Sequence, residues 1–249
     1  MDRPMTRREL EVSIVRACAP TLLGAKPASM FTFCGPFATR CPGCEEVPCA
    51  EAPPVPASAE HARRRVAFTR LLAGLDGELA AVGARATVLA WRPFGAIVYV
   101  YRPALLAHQL VEHRCAADLA ALGYPPAEAA GNEDALRLQL ARLRSRFHQV
   151  NVPHEIGYFL GYPVEDVRGF IAHEGRGYLC CGCWKVYADV RRAQRLFGRY
   201  KRCTRRALML AAGGATLTEL ARLPRRRARH SLTVSQAGAG PASDRKDKV

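Results

Sequence analysis

Apolar positions recur every three or four residues over residues 7–18 (RRELEVSIVRAC), which predicts a short amphipathic helix limited by Pro20. The same spacing through Val66, Leu71, Leu72, Leu75 and Leu79 predicts a helix over 58–82, closed by Gly83. Between them, Met30 to Phe33 reads as a brief strand. The pattern then changes: Ala86 to Trp91 and Ala96 to Tyr101 are β-branched and aromatic, and RPFG separates them. That predicts an antiparallel hairpin. Pro103 opens a helix to about Leu122, a second covers roughly 132–149, and two short helical pieces follow at 156–160 and 164–171. Tyr178 to Tyr187 reads as a strand. The last helix runs from about Ala188 to Leu210, with Ala193, Leu196, Phe197, Tyr200 and Ala207 as its buried stripe. Irregular alternation with at least one hairpin implies an α+β fold, a small mixed or antiparallel sheet packed against several helices.

The chain has 249 residues, 49% of them hydrophobic, enough for one medium-sized core. Residues 1–33 and 58–223 read as two parts of a single domain. Residues 34–57 read as a Cys- and Pro-rich insertion without periodicity, and 224–249 as a mobile basic tail. Arg92 interrupts the best apolar run, Ala86 to Tyr101, and no apolar segment follows MDRPMTRREL. The expectation is a cytoplasmic protein with no membrane partner.

Net charge is +15, but it is unevenly placed. Residues 185–249 carry 17 Lys and Arg against 4 Asp and Glu, so the first 184 residues, with 20 basic and 18 acidic groups, hold only +2. The excess belongs to the last helix and the tail. Arg191, Arg195, Arg199, Arg202 and Arg206, with Arg192 and Arg205, lie largely off the apolar stripe. They form either a solvated face or a surface for nucleic-acid phosphates. Arg outnumbers Lys 32 to 5, a bias that GC-rich coding also produces.

Ten cysteines without a secretory signal are expected to be reduced. Cys18, Cys115 and Cys203 read as small buried hydrophobes. Cys34, Cys41, Cys44 and Cys49 surround a C-P-G-C turn, which supplies two of the four ligands that zinc or another soft metal takes. Cys180, Cys181 and Cys183 form a second cluster; on a strand, Cys181 and Cys183 share a face with Lys185, whose charge favours thiolate. His154-Glu155 opens as a zincin would, but Tyr158 stands where the second histidine belongs. Asn151 is then a helix cap and Glu155 a first-turn carboxylate, or the pair is an acid/base or ligand pair in a pocket. Lys26, in GAKPAS, stands at a strand entrance and can meet an anion.

Two segments echo each other, LGYPPAEAAG (122–131) and LGYPVEDVRG (160–169): they read as corners between packed helices or as a helix-turn-helix, and neither copy is followed by a basic recognition helix. The stretches CAPTLLGAKPASMF (18–31), VYVYRP (98–103), PHEIGYFLGYPVEDVRGFI (153–171) and GCWKVYADVRRAQRLFGRY (182–200) together resemble a bacterial family, domain of unknown function 3793. The resemblance spans most of residues 10–223 and implies a single cytosolic domain of unassigned activity, with no catalytic or ligand residue to carry over. The Cys34–Pro56 loop and the Arg-rich tail are richer in cysteine and arginine than the resemblance leads one to expect.

No nucleotide-binding or hydrolase motif is present. The leading expectation is therefore a thiol-rich binding or accessory module for a soft metal or for redox sensing, with a possible protein partner. The alternatives are a nucleic-acid-binding protein using the basic helix and tail, and an enzyme with a His154/Glu155 pocket.

Overall fold

In the computed structural model, residues 5–35, 37, 59–112, 115–126 and 133–223 are described. Cys41, Cys44, Cys49, most of the predicted insertion and the tail from 224 lie outside them. The described elements are α1 (Arg7–Leu22), β1 (Ala28–Cys34), α2 (Ala59–Ala80), β2 (Arg85–Arg92), β3 (Gly95–Tyr101), α3 (Pro103–Glu112), α4 (Ala116–Ala121), α5 (Glu133–Gln149), α6 (Ile156–Phe159), α7 (Val164–Ala172), β4 (Cys180–Cys181), β5 (Lys185–Val186), α8 (Val190–Ala212) and α9 (Leu217–Arg222). The fold is α+β.

The main sheet has the order β1-β3-β2 and is antiparallel throughout. Its centre is β3, an unbroken apolar run, because both of its faces are covered. Ala96, Val98 and Val100 face a core built by α1, α2, α8 and α9. Ile97 and Tyr99 face a second core built by α3, α4, α5, α6 and α7. β2 and β3 meet through a two-residue turn at Pro93 and Phe94, and β2 shifts register between Val88 and Ala90. Arg102, at the end of β3, ties the layers. Its guanidinium donates to the carbonyls of Thr21 (2.8 Å) and Leu22 (2.5 Å) at the end of α1, and to Ala221 of α9 (2.6 Å). These are helix-end carbonyls that lack an intrahelical donor.

Three local expectations change. Pro20 lies inside α1, which continues to Leu22. A proline in a helix costs about 3 kcal/mol, but residues 18–22 are all buried, and that packing outweighs the missing bond. The helix expected over 103–122 is two helices. Cys115 sits buried between them, its thiol 3.7 Å from the Leu110 carbonyl. The strand expected over 178–187 is a hairpin of two-residue strands, with Gly182, Cys183 and Trp184 as its turn. No described helix is long and apolar enough to cross a membrane.

Candidate functional site

The small β4–β5 hairpin is held by one carboxylate. Asp166 of α7 is buried, and it accepts from Trp184 Nε1 (2.7 Å) through one oxygen and from the Tyr187 (2.8 Å) and Ala188 (3.1 Å) backbone N–H groups through the other. On its far side the hairpin lies on α8, so closely that a Cβ on Gly182 would stand 2.3 Å from the Phe197 ring. Trp184 meets Phe197 edge-on at 4.5 Å and stacks on Tyr162 at 4.8 Å. Tyr162 in turn donates to the Cys183 carbonyl at 3.3 Å. Trp184, Val186, Ala193, Phe197 and Tyr200 thus make a third small core, with Ala25, Tyr162 and Cys180 at its edge.

The sulfurs of the described cysteines do not gather into one site. Cys18 and Cys115 are fully buried, Cys180 and Cys203 half-buried, and Cys34, Cys181 and Cys183 exposed. Among the described residues, no group of three or more His, Cys, Asp or Glu is placed to hold a metal ion. Cys181 pairs across the hairpin with Lys185, whose ammonium donates to the Gly175 carbonyl at 2.7 Å. Cys183 is in the turn rather than on a strand face with them. Burial pushes its thiol up, against the opposing pull of Lys26 and Lys201, so it is protonated at neutral pH.

His154 and Glu155 are adjacent but part company. His154 is exposed, its ring edge-on to Phe170 at 5.0 Å. Glu155 is buried, 2.7 Å from Arg146 Nε and 3.2 Å from the Tyr124 hydroxyl. Burial and this carboxylate push the Tyr124 phenol well up. The carboxylate is thus engaged in a structural network joining α5 to α6. The expected Asn151 cap is not formed: Glu155 itself is the N-cap of α6 and makes no side-chain cap bond. The Asn151 carbonyl accepts from Arg92 at 2.9 Å.

The basic helix is built differently. α8 is 23 residues long, about 34 Å, with its Asp189 cap accepting from the Arg192 N–H at 2.8 Å. Ala193, Phe197, Tyr200 and Ala207 face inward and pack on the rest of the fold. Arg191, Arg192, Arg195, Arg199, Arg202 and Arg206 are all exposed. At about 100° per residue they share an arc of about 100°, turned away from the buried stripe. Lys201 and Arg205, also exposed, flank it. None of these eight side chains has an ion pair or hydrogen bond among the described residues. Several arginines elsewhere are engaged, Arg7 with Glu78, Arg85 with Asp76, Arg146 with Glu155 and Arg168 with Asp118, whereas exposed Arg8, Arg16, Arg70 and Arg222 have no such partner among the described residues.

The residues that reading the chain underweighted are Tyr162, Trp184 and Tyr200. The repeated L-G-Y-P marked Tyr162 only as a corner, and nothing local ties it to Trp184 or to Lys26. A signal was present for two of them: Gly161 precedes Tyr162 and admits Pro27, and Gly182 stands two residues before Trp184 and admits Phe197.

No curated protein and no solved structure matches this chain. The family model described as "Protein of unknown function (DUF3793)" matches residues 14–221, which hold nearly all of both cores, the hairpin and α8, and the chain belongs to that family.

Proposed function

We propose that the protein binds nucleic acid through the phosphate backbone, using the arginine ridge of α8. The observation that carries this reading is the set of eight exposed cations on one helix with no carboxylate or hydrogen-bond partner among the described residues. Folding gains nothing from the ridge. Arg191–Arg195, Arg195–Arg199, Lys201–Arg205 and Arg202–Arg206 are like-charge i,i+4 pairs, each costing roughly 0.2–0.5 kcal/mol. Arg191 and Arg192 also stand in the first turn, where the helix dipole disfavours cations. A polyanion relieves both costs and releases its counterions. Arg195, Arg199, Arg202 and Arg206 repeat every three or four residues, about 5–6 Å apart along the axis, which suits a row of phosphates rather than one small anion. The ridge reads charge, and the shared chemistry is the phosphodiester of DNA or RNA.

The test is fluorescence anisotropy of a labelled DNA duplex and, separately, an RNA hairpin, against the full chain from low to physiological salt. The expected affinity falls linearly in log–log form, with a slope of about −0.9 per phosphate neutralised on duplex DNA. Arg195→Gln, Arg199→Gln, Arg202→Gln and Arg206→Gln combined should make that slope shallower by three to four. Absent binding, salt-insensitive binding, or an unchanged slope in the quadruple variant would each refute the reading.

A further inference from the structure

Lys26 lies in the turn between α1 and β1, and that turn is tightly made. The Pro20 carbonyl accepts from both Ala25 (2.7 Å) and Lys26 (3.2 Å) N–H groups, and Gly24 takes a positive φ of 66°. The next residue, Pro27, abuts the second L-G-Y-P corner: a Cβ on Gly161 would lie 2.4 Å from Pro27 Cγ. Only glycine permits that approach, and it delivers Tyr162 to the lysine. Lys26 Nζ stands 4.9 Å from the Tyr162 ring centre and 5.8 Å from that of Tyr200. Four segments far apart in the chain therefore meet at one amine: GAKP, LGYP, the hairpin turn and α8.

The amine is unusual in what it lacks. Lys26 is only 8% exposed, yet no carboxylate and no hydrogen-bond acceptor engages it among the described residues. Two aromatic faces offset part of the burial cost of an ammonium, but they supply no counter-charge. The acidic groups near enough to act on it are the thiols of Cys18 and Cys183, and burial holds both in the protonated form. Asp166, bonded to the Trp184 that stacks on Tyr162, is fully committed to Trp184, Tyr187 and Ala188. Burial accordingly pulls the Lys26 ammonium down to about 8. It is not sealed, however. The enclosed side-chain atoms without a partner are Gln139 Oε1, Arg142 Nε and Tyr187 Oη among the described residues, and Lys26 Nζ is not one of them. Its exposed neighbours are Cys183 and, in part, Tyr162.

We propose that Lys26, set between Tyr162 and Tyr200 behind the Cys183 turn, is the binding site of a small anion, a carboxylate or a phosphate, that supplies the missing counter-charge. The site is separate from the arginine ridge in chemistry and size. It holds one buried cation with aromatic walls, against a row of solvated guanidinium groups. A small anion gains there because a charge pair in a partly dry site is screened less than one in water. Lys201 and Arg199 of α8 keep the surrounding potential positive; both act on groups of this site, Cys183 and Tyr200.

The experiment titrates the full chain with sodium phosphate and, in a second arm, sodium acetate at constant ionic strength and pH 7. It follows the Lys26 13Cε resonance, assigned by its absence from Lys26→Met and Lys26→Arg. A saturating shift in either arm is expected, and the arm that saturates identifies the head group. Affinity should fall about tenfold for each pH unit above 8, as the ammonium is lost. The quadruple arginine variant of α8 should keep the shift, which separates this site from the nucleic-acid ridge. A linear, non-saturating response in both arms overturns the proposal. So does a saturating shift that vanishes in the quadruple variant, or one unchanged at pH 10.

Discussion

Trp184 donates its indole N–H to Asp166 at 2.7 Å, and through that bond α7 fixes where the β4–β5 hairpin lies on α8. Both residues are buried, and the Asp166 carboxylate also takes the Tyr187 and Ala188 N–H groups. A hairpin of two-residue strands has too few ladder bonds to persist alone, so its order depends on this carboxylate and on the Trp184–Phe197 contact.

Replacing Asp166 by alanine therefore removes the acceptor of three donors, of which the Trp184 indole N–H is buried while Tyr187 and Ala188 can reach water. An unmet buried donor costs roughly 1–3 kcal/mol, so a loss of about that size is expected in urea unfolding. Asp166→Asn, which retains an acceptor oxygen, should lose less. Equal losses for the two variants would mean that the carboxylate is not the anchor.

Thiol chemistry divides the cysteines sharply. Cys18 is fully buried and its thiol is pushed far up; Cys115 is buried and pushed up to about 11. Neither presents thiolate at neutral pH. Brief treatment of the native protein with N-ethylmaleimide, read by peptide mass spectrometry, should modify exposed Cys181 and leave Cys18 and Cys115 intact until denaturant is added. Early labelling of Cys18 would contradict the burial of α1 against the sheet.

Acid should act through Asp118. The Arg168 guanidinium at 2.8 Å, aided by the Tyr158 hydroxyl, holds its carboxyl below the ordinary value of 3.8. A carboxyl depressed in the folded state stabilises it fully above its unfolded value. That contribution fades as pH falls from about 4 through the lower native value. Thermal unfolding followed between pH 6 and pH 2 should show a smaller acid-induced drop in Tm for Asp118→Asn than for the parent. Parallel curves would show that the pair adds nothing to pH dependence.

Local pattern reaches some of this structure and not the rest. The β-branched and aromatic content of ATVLAW and AIVYVY, with RPFG between them, specifies the β2–β3 hairpin, since partners joined by two residues need no distant information. The three-to-four spacing through Phe197 and Tyr200 likewise specifies which side of α8 is buried, and hence where its arginines point. Cys181 and Cys183, by contrast, fit one strand face equally well on paper. Whether residues 178–187 run straight or fold into a turn depends on Phe197 packing against Gly182, a contact that no local period encodes. His154-Glu155 is similar: adjacency in the chain suggests joint chemistry, but Arg146 and Tyr124 reach only the carboxylate.

What the amino-acid sequence by itself determined was the α+β class, the hairpin and the one-sided charge of the last helix. These follow from the repeat of a strand or helix acting on neighbouring residues. Only the tertiary structure decided that β1 pairs with β3 to make it central, that the described cysteines form no metal-holding group, and that Lys26 meets Tyr162 and Tyr200. Those contacts join residues far apart in the chain. They exist because both faces of one strand had to be covered at once, a condition on the whole molecule that no single segment carries.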